Sequence, residues 1–410
     1  TEADSNHQSV NRREALELMV KYIGIGSLIS ALVGVGLSFS GWPWVFVVAK
    51  VTSGAFINVL KFISLPVIFF SLSATIAKLQ SRHIAGQLLS RTLRLTFLTT
   101  FIAAFIAGAL YELIQPAVGM VKMGVVHHSP VFDFSIDQLV PDNLFMMFAQ
   151  HNIVAIVLFA LLVGVVVTKL PDVERDFMSL ALNSIYALFL KMAQLIILLL
   201  PLVVWSFVLG LLQQEGAYDT IWLLAGYLSC VFGANIIQGL FILPMLLFLY
   251  RIHVVPLFSA VSPALMMAAL TKSSTASLPL TLSCIEERTN ISNEKANMIL
   301  PLCATVNMNG CAAFIYITVL FVAQVNGVDF SVGEKLLWVV LSVFAAFGNA
   351  GVPMGCFFMS SAYLVSMNIS TDMMGVILPF YALIDMVETP INIWSDVSVL
   401  SIIDRQDSAK

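Results

Sequence analysis

Along this chain apolar residues gather into long stretches without a charge, and polar residues fall between those stretches rather than alternating within them. Charge-free runs cover residues 22–39, 95–111, 192–212, 221–250 and 296–328. A helix rises about 1.5 Å per residue, so about 20 apolar residues cross roughly 30 Å of hydrocarbon. The runs match that length and recur along the whole chain, which a signal peptide or single anchor would not do. The pattern predicts an all-α, polytopic membrane protein with about eight transmembrane helices plus two re-entrant helical hairpins.

The hairpins come from two runs that overshoot one crossing. Residues 254–285 carry a single charge, Lys272 near the middle, and residues 336–371 carry none. Each breaks centrally, the first over Thr271, Lys272, Ser273, Ser274, Thr275, Ser277 and Pro279, the second over Gly348, Asn349, Gly351, Val352, Pro353 and Gly355. Glycine, proline and hydroxyl residues favour turns over helix continuation. Non-helical backbone at membrane depth survives only where protein buries it or where it lines a polar cavity, so two such tips point to function. Two ordinary pairs of spans joined by tight turns are the alternative.

Charge sets the topology. Counting roughly six spans before the first hairpin puts Arg12, Arg13, Lys78, Arg82, Arg91, Arg94, Lys169, Arg175, Arg251, Arg288, Lys295 and Arg405 on one side. The long segment 112–150 has Lys122 as its one basic residue apart from histidine. The basic side is expected to be cytoplasmic, with both termini inside. The hairpins then enter from opposite faces, and hairpin plus span over 254–328 repeats, inverted, over 336–403.

Composition agrees: the chain of 410 residues is 59% hydrophobic and 11% charged, with a mean hydropathy of +0.94. A net charge of −4 without a basic cluster among aromatics sets nucleic acid aside. Cys230, Cys284, Cys303, Cys311 and Cys356 lack metal-type spacing and read as small packing residues. His127 and His128, adjacent in a polar loop, receive no role.

The last apolar segment holds the polar residues Asp385, Glu388, Thr389, Asn392 and Asp396. Asp385, Glu388, Asn392 and Asp396 share one helix face, with Trp394 roughly opposite. Intramembrane carboxylates are costly and face a bundle interior or a hydrated cavity, where they mark ion or substrate paths. A frayed helix end in water would suit Asp396, but Asp385 and Glu388 lie too far inside. A second polar group, Thr305, Asn307, Asn309 and Gly310, interrupts the run 296–328. Unwinding there would free backbone carbonyls for Na+, with Asn392 and Asp396 completing the shell. An asparagine pair bonding between helices is the alternative.

The combination of a hydroxyl-rich hairpin, Asn-Met-x-Gly, a Gly-Val-Pro hairpin and Asp-x-x-x-Thr-x-x-Asn-x-x-x-Asp resembles the dicarboxylate/amino acid:cation symporter family. In motif it is most similar to the family's bacterial serine/threonine:sodium symporters. The resemblance implies a homotrimer with elevator-type alternating access. Residues 1–90 (spans 1–2) and 116–217 (spans 4–5) would form the scaffold. The transport domain would comprise residues 91–115 (span 3) and 218–410, that is, span 6, hairpin 1, span 7, hairpin 2 and span 8. It also implies site residues. Ser273, Ser274 and Thr275 with Asn392 would hold the substrate α-carboxylate, Asp385 its ammonium, and Thr389 would orient it. Residues 348–353, including Gly351, Val352 and Pro353, would gate the site. Cation ligands would come from Cys303, Thr305, Asn307, Asn392 and Asp396, from Thr100, and from Ala346, Phe347 and Asn349.

Two departures from the family pattern refine this. Acid-transporting members carry a basic residue at the position of Glu388, and a carboxylate there would repel an acidic substrate. Lys272 nearby weakens that repulsion by pairing with Asp385 or Glu388. Asn309 replaces the family's usual aspartate, and the third-span positions align with Thr100 and Phe101, which implies fewer coupled cations than in glutamate transporters. The expectation is therefore symport of a small neutral amino acid such as serine, threonine or alanine, coupled to Na+ or alternatively H+. Beyond substrate and membrane lipid no partner is implied, and no organic cofactor. Cationic or acidic substrates are alternatives. An intramembrane aspartyl protease would need acids on facing helices, whereas Asp385 and Glu388 stand on one. A passive channel would not accumulate its solute.

Overall fold

A computed structural model describes residues 25–27, 29–81, 86–117, 143–149, 153–212, 217–347, 354–367 and 369–408. Every regular element among them is a helix. After a helix over residues 29–38, these are in chain order α1 (Pro43–Ser81), α2 (Gly86–Ile114), α3 (Leu144–Ala149), α4 (Ile153–Thr168), α5 (Asp172–Ile197), α6 (Leu200–Leu212) and α7 (Ala217–Ile237). A π-helical turn, Gln238–Ile242, joins α7 to α8 (Leu243–Leu249). There follow α9 (Val254–Thr271), α10 (Ser274–Arg288), α11 (Asn293–Val306), α12 (Asn309–Val325), α13 (Val332–Phe347), α14 (Gly355–Ser366) and α15 (Asp372–Ser408). Among the described residues, five helical segments are long and apolar enough to cross a membrane, and shorter apolar helices accompany them. Large apolar side chains such as Phe105, Phe241, Phe248 and Met266 remain exposed, the surface a protein presents to lipid.

The helices pack in two groups. α1 lies against α4, α5 and α6, with Phe69 stacked on Phe159 and Phe70 on Phe189. The second group surrounds α12, which touches α2, α7, α13, α14 and α15 and is buried continuously from Asn309 through Ala323. Contacts of α14 with α1 and of α15 with α6 connect the groups.

Both broken runs form helical pairs, α9–α10 and α13–α14, and they enter from opposite ends. The base of the first pair leads through residues 289–292 into α11, whose Lys295 contacts Asp404 at 3.0 Å and Asp407 at 3.2 Å. Arg91 at the start of α2 also pairs with Asp407. The base of the second pair lies at the other end of α2, where Lys335 meets Glu112 at 2.7 Å. The tip of the second hairpin, with Asn349, Gly351, Val352 and Pro353, lies outside the described residues.

Close approach of α1 to α4 depends on Gly164. A Cβ there would lie 2.5 Å from the Ile76 Cβ and 3.2 Å from the Ser73 carbonyl oxygen, beside the bond from Ser73 Oγ to the Ala160 carbonyl at 3.1 Å. Gly164→Ala is therefore expected to destabilise the fold by about 1–3 kcal/mol through overpacking, read as a lower melting temperature of the detergent-purified protein. An unchanged melting temperature would mean that this helix pair yields without cost.

Candidate functional site

The site is built where two long helices are each disturbed in mid-course. α11 ends at Val306, Asn307 and Met308 leave helical geometry, and α12 restarts at Asn309. A restarting helix leaves its first N–H groups unbonded inside the protein. One is answered from α15: the Gly310 N–H donates to Asn392 Oδ1 at 2.9 Å. A Cβ on Gly310 would come within 2.7 Å of Asn235 Oδ1 and 3.0 Å of the Glu388 Cα. Glycine thus lets α7, α12 and α15 converge at one point.

Around the break the amide side chains knit three helices together. Asn307 Nδ2 donates to Asp396 Oδ1 and to Ser395 Oγ, both at 2.9 Å, while its Oδ1 accepts from Thr99 Oγ1 at 3.1 Å. Asn309 repeats the pattern, donating to Ser395 Oγ at 2.7 Å and accepting from Thr100 Oγ1 at 2.8 Å. These side chains are buried, where hydrogen bonds are strong and losing a partner is costly. The sequence pointed to Asn307, Asn309, Asp396 and Thr100, but not to Ser395 or Thr99. Ser395 does lie beside Asp396 on the polar stretch of α15, and Thr99 beside Thr100.

The other proposed cation ligands divide. The Cys303 carbonyl closes the last turn of α11 by accepting from the Asn307 N–H at 2.8 Å. Thr305 turns its hydroxyl back onto the Leu302 carbonyl at 2.7 Å. Ala346 is buried near the end of α13, and the Phe347 ring packs against Phe97 of α2. Phe101 stacks on Phe97 and brings no polar group.

The tip of the first hairpin lies beside the same stripe. Lys272 closes α9 in the left-handed conformation, φ 52°, a geometry that glycine usually supplies at a helix end. Ser273 then caps α10, its hydroxyl accepting from the Ala276 N–H at 3.2 Å. Thr275 shares a hydrogen bond with Ser273 at 3.1 Å, and Ser277 donates to the Ser273 carbonyl at 3.0 Å. Thr271 is bonded to the Met267 carbonyl at 2.8 Å. Among the described residues, Ser274 is the tip hydroxyl without such a bond, and it stands at the N-terminus of α10, where backbone N–H groups favour an anion. The Lys272 charge acts on Asp385 without an ion pair between them among the described residues. Asp385 also accepts from Thr389 Oγ1 at 3.1 Å.

Glu388 is fully buried, and neither of its oxygens has a nitrogen or oxygen donor among the described residues. Its neighbours are the thiols of Cys311 on α12 and Cys356 on α14, the three donor groups lying within 4.8 Å of one another. The packing role read for these two cysteines from sequence spacing is thus incomplete, because spacing along a chain does not register a cluster assembled from three helices. Trp394, opposite the carboxylates, is buried as well; its indole N–H donates to the Gly239 carbonyl at 3.1 Å, in the π-helical turn where backbone carbonyls lose regular partners.

Ser395 accepts from two asparagines at once, and alanine there would strip both Nδ2 groups of that acceptor. Ser395→Ala is expected to destabilise the protein by about 1–3 kcal/mol, measured by thermal unfolding in detergent. A change within error would mean that water replaces the hydroxyl freely.

Comparison with known proteins matches this arrangement to one family. The profile of the sodium:dicarboxylate symporter family matches residues 19–406. Excitatory amino acid transporter 3 of Mus musculus is 25% identical over 255 residues, covering 62% of this chain and 49% of that protein. Excitatory amino acid transporter 5 of Homo sapiens is 26% identical over 264 residues, covering 63% and 47%. Neutral amino acid transporter B(0) of Rattus norvegicus is 29% identical over 254 residues, covering 60% and 45%. The matched regions span about half the length of these relatives. With a family match reaching from before the first described helix into the last turns of α15, the chain belongs to the sodium:dicarboxylate symporter family.

Proposed function

We propose that the protein is a Na+-coupled symporter of a small neutral amino acid such as serine, threonine or alanine. The observation that carries the reading is that Asp385, Glu388, Thr389 and Asn392 lie together on α15 inside a helix bundle, with the Lys272 charge of the first hairpin acting on Asp385. A zwitterion satisfies that set. Its ammonium would pair with Asp385, which has no ion pair to Lys272 among the described residues. Its carboxylate would meet Ser274, the Ser273–Thr275 backbone at the N-terminus of α10 and the amide of Asn392. Among the described residues, Asn392 Nδ2 bonds only to the Cys311 sulfur at 3.5 Å, a weak interaction that a carboxylate would readily replace. Thr389 would orient the substrate, and Glu388 would accept from a side-chain hydroxyl.

Na+ would bind next to the substrate, through Asn307, Asn392 and Asp396 with Cys303, Thr305 and Thr100 near them, and through Ala346, Phe347 and Asn349 at the second hairpin. H+ is the alternative coupling ion. Residues 348–353, with Gly351, Val352 and Pro353, would gate the site. The packing of α1 on α4, α5 and α6, with α14 and α15 linking it to the group around α12, supports an elevator. In it residues 1–90 and 116–217 form a trimeric scaffold, and residues 91–115 and 218–410 move. Both termini would be cytoplasmic, in a bacterial inner membrane.

Glu388 favours one other reading. A buried carboxylate without an oxygen or nitrogen donor would attract a cationic side chain, so a lysine-type substrate is the competing case. Counterflow in proteoliposomes with labelled serine, lysine and glutamate, with and without Na+, separates these. Serine is expected to exchange only with Na+. Asp385→Asn should reduce its exchange at least about a hundredfold, since a buried charge pair is lost, while Glu388→Gln should shift the ranking of substrates. Exchange of lysine alone would replace the neutral substrate with a cationic one. Undiminished serine exchange by Asp385→Asn would remove Asp385 from the site.

A further inference from the structure

The cluster of Cys311, Cys356 and Glu388 has chemistry that amino acid binding does not use. Two thiols and a carboxylate from three different helices lie within 4.8 Å of one another, all buried. Glu388 contributes a carboxylate oxygen to the cluster, and neither of its oxygens has a nitrogen or oxygen donor among the described residues. Cys311 Sγ accepts from Asn392 Nδ2 at 3.5 Å, a contact that would steady a thiolate. Thiolate and carboxylate together are a donor set for soft or borderline divalent cations rather than for Na+. Two sulfurs bound at about 2.3 Å to one tetrahedral Zn2+ stand about 3.8 Å apart, which falls inside the 4.8 Å span of the cluster.

The geometry points to a soft-metal site, for Zn2+ or Cd2+, formed by Cys311, Cys356 and Glu388, with a fourth position left for water. On binding, the ion displaces the two thiol protons to solvent, and the Glu388 carboxylate completes the protein's share of the shell. Asn392 holds one ligand in place from outside the shell. Because Cys356 belongs to α14 of the second hairpin while Cys311 and Glu388 belong to α12 and α15, a bound ion fastens that hairpin to the core. Inhibition of uptake follows if the hairpin gates the site, so this consequence rests on the proposed transport function. Metal binding itself does not.

The test is titration of the purified protein in nanodiscs with Cd2+, read by thiolate-to-cadmium charge-transfer absorption. One equivalent is expected to saturate the wild type and Cys230→Ser, with the band lost in Cys311→Ser and in Cys356→Ser. A band of undiminished intensity in those two variants overturns the site. X-ray absorption at the zinc edge of the wild-type protein loaded with Zn2+ requires no variant: two sulfur neighbours are expected, and a shell of nitrogen and oxygen alone overturns it. In proteoliposomes Zn2+ should stop wild-type uptake, reversibly by chelation, and leave Cys356→Ser at its own metal-free rate. Equal inhibition of both overturns the clamp, and a protein that binds Cd2+ but transports no amino acid separates failure of the transport reading from failure of the site.

Discussion

The junction of α11 and α12 with α15 is the constraint on which the rest depends. The helix breaks at Asn307 and Met308, and the amides of Asn307 and Asn309 on either side converge on Ser395 and Asp396. In a bundle surrounded by lipid, polar backbone and side-chain groups must find partners within the protein. The break is therefore tolerated only because α15 supplies acceptors at the same depth and α2 supplies Thr99 and Thr100. Burial of α12 on all sides follows from that requirement.

From this junction the surrounding elements gain their positions. Gly310 brings α7 and α15 close, Asn392 ties α15 to the start of α12, and Cys356 sets α14 of the second hairpin against Glu388. The first hairpin, packed along α15 through α9, brings the Lys272 charge to act on Asp385. Carboxylates, amides, hydroxyls and a helix N-terminus thus share a small interior volume. Such an arrangement suits a member of the sodium:dicarboxylate symporter family.

Much of this was legible in the sequence because polar groups in an apolar background are conspicuous. Lys272 inside one run, the carboxylates spaced along the last helix and the Asn-Met-Asn-Gly break each signalled a departure from a plain span. Prolines were less informative: Pro66, Pro263, Pro379 and Pro390 sit within continuous helices. Nor did the run 221–250 announce its π-helical turn at Gln238–Ile242. Ser395 and Thr99 escaped notice because most hydroxyls in membrane helices bond back to their own helix, as Ser398 and Ser401 do. Which hydroxyl turns outward is decided by the neighbouring helix. Cys311, Cys356 and Glu388 lie far apart in the chain or on different helices, so only packing unites them.

The central claim is that Asp396 and the asparagine layer couple a cation to an amino acid bound next to Asp385. Equilibrium binding of serine to purified protein at stepped Na+ concentrations tests it most directly. Linkage predicts that wild-type affinity rises by up to about tenfold per tenfold increase in Na+ for each coupled ion, and that Asp396→Asn flattens this dependence. A wild-type affinity indifferent to Na+, or an unchanged slope in Asp396→Asn, would contradict the account.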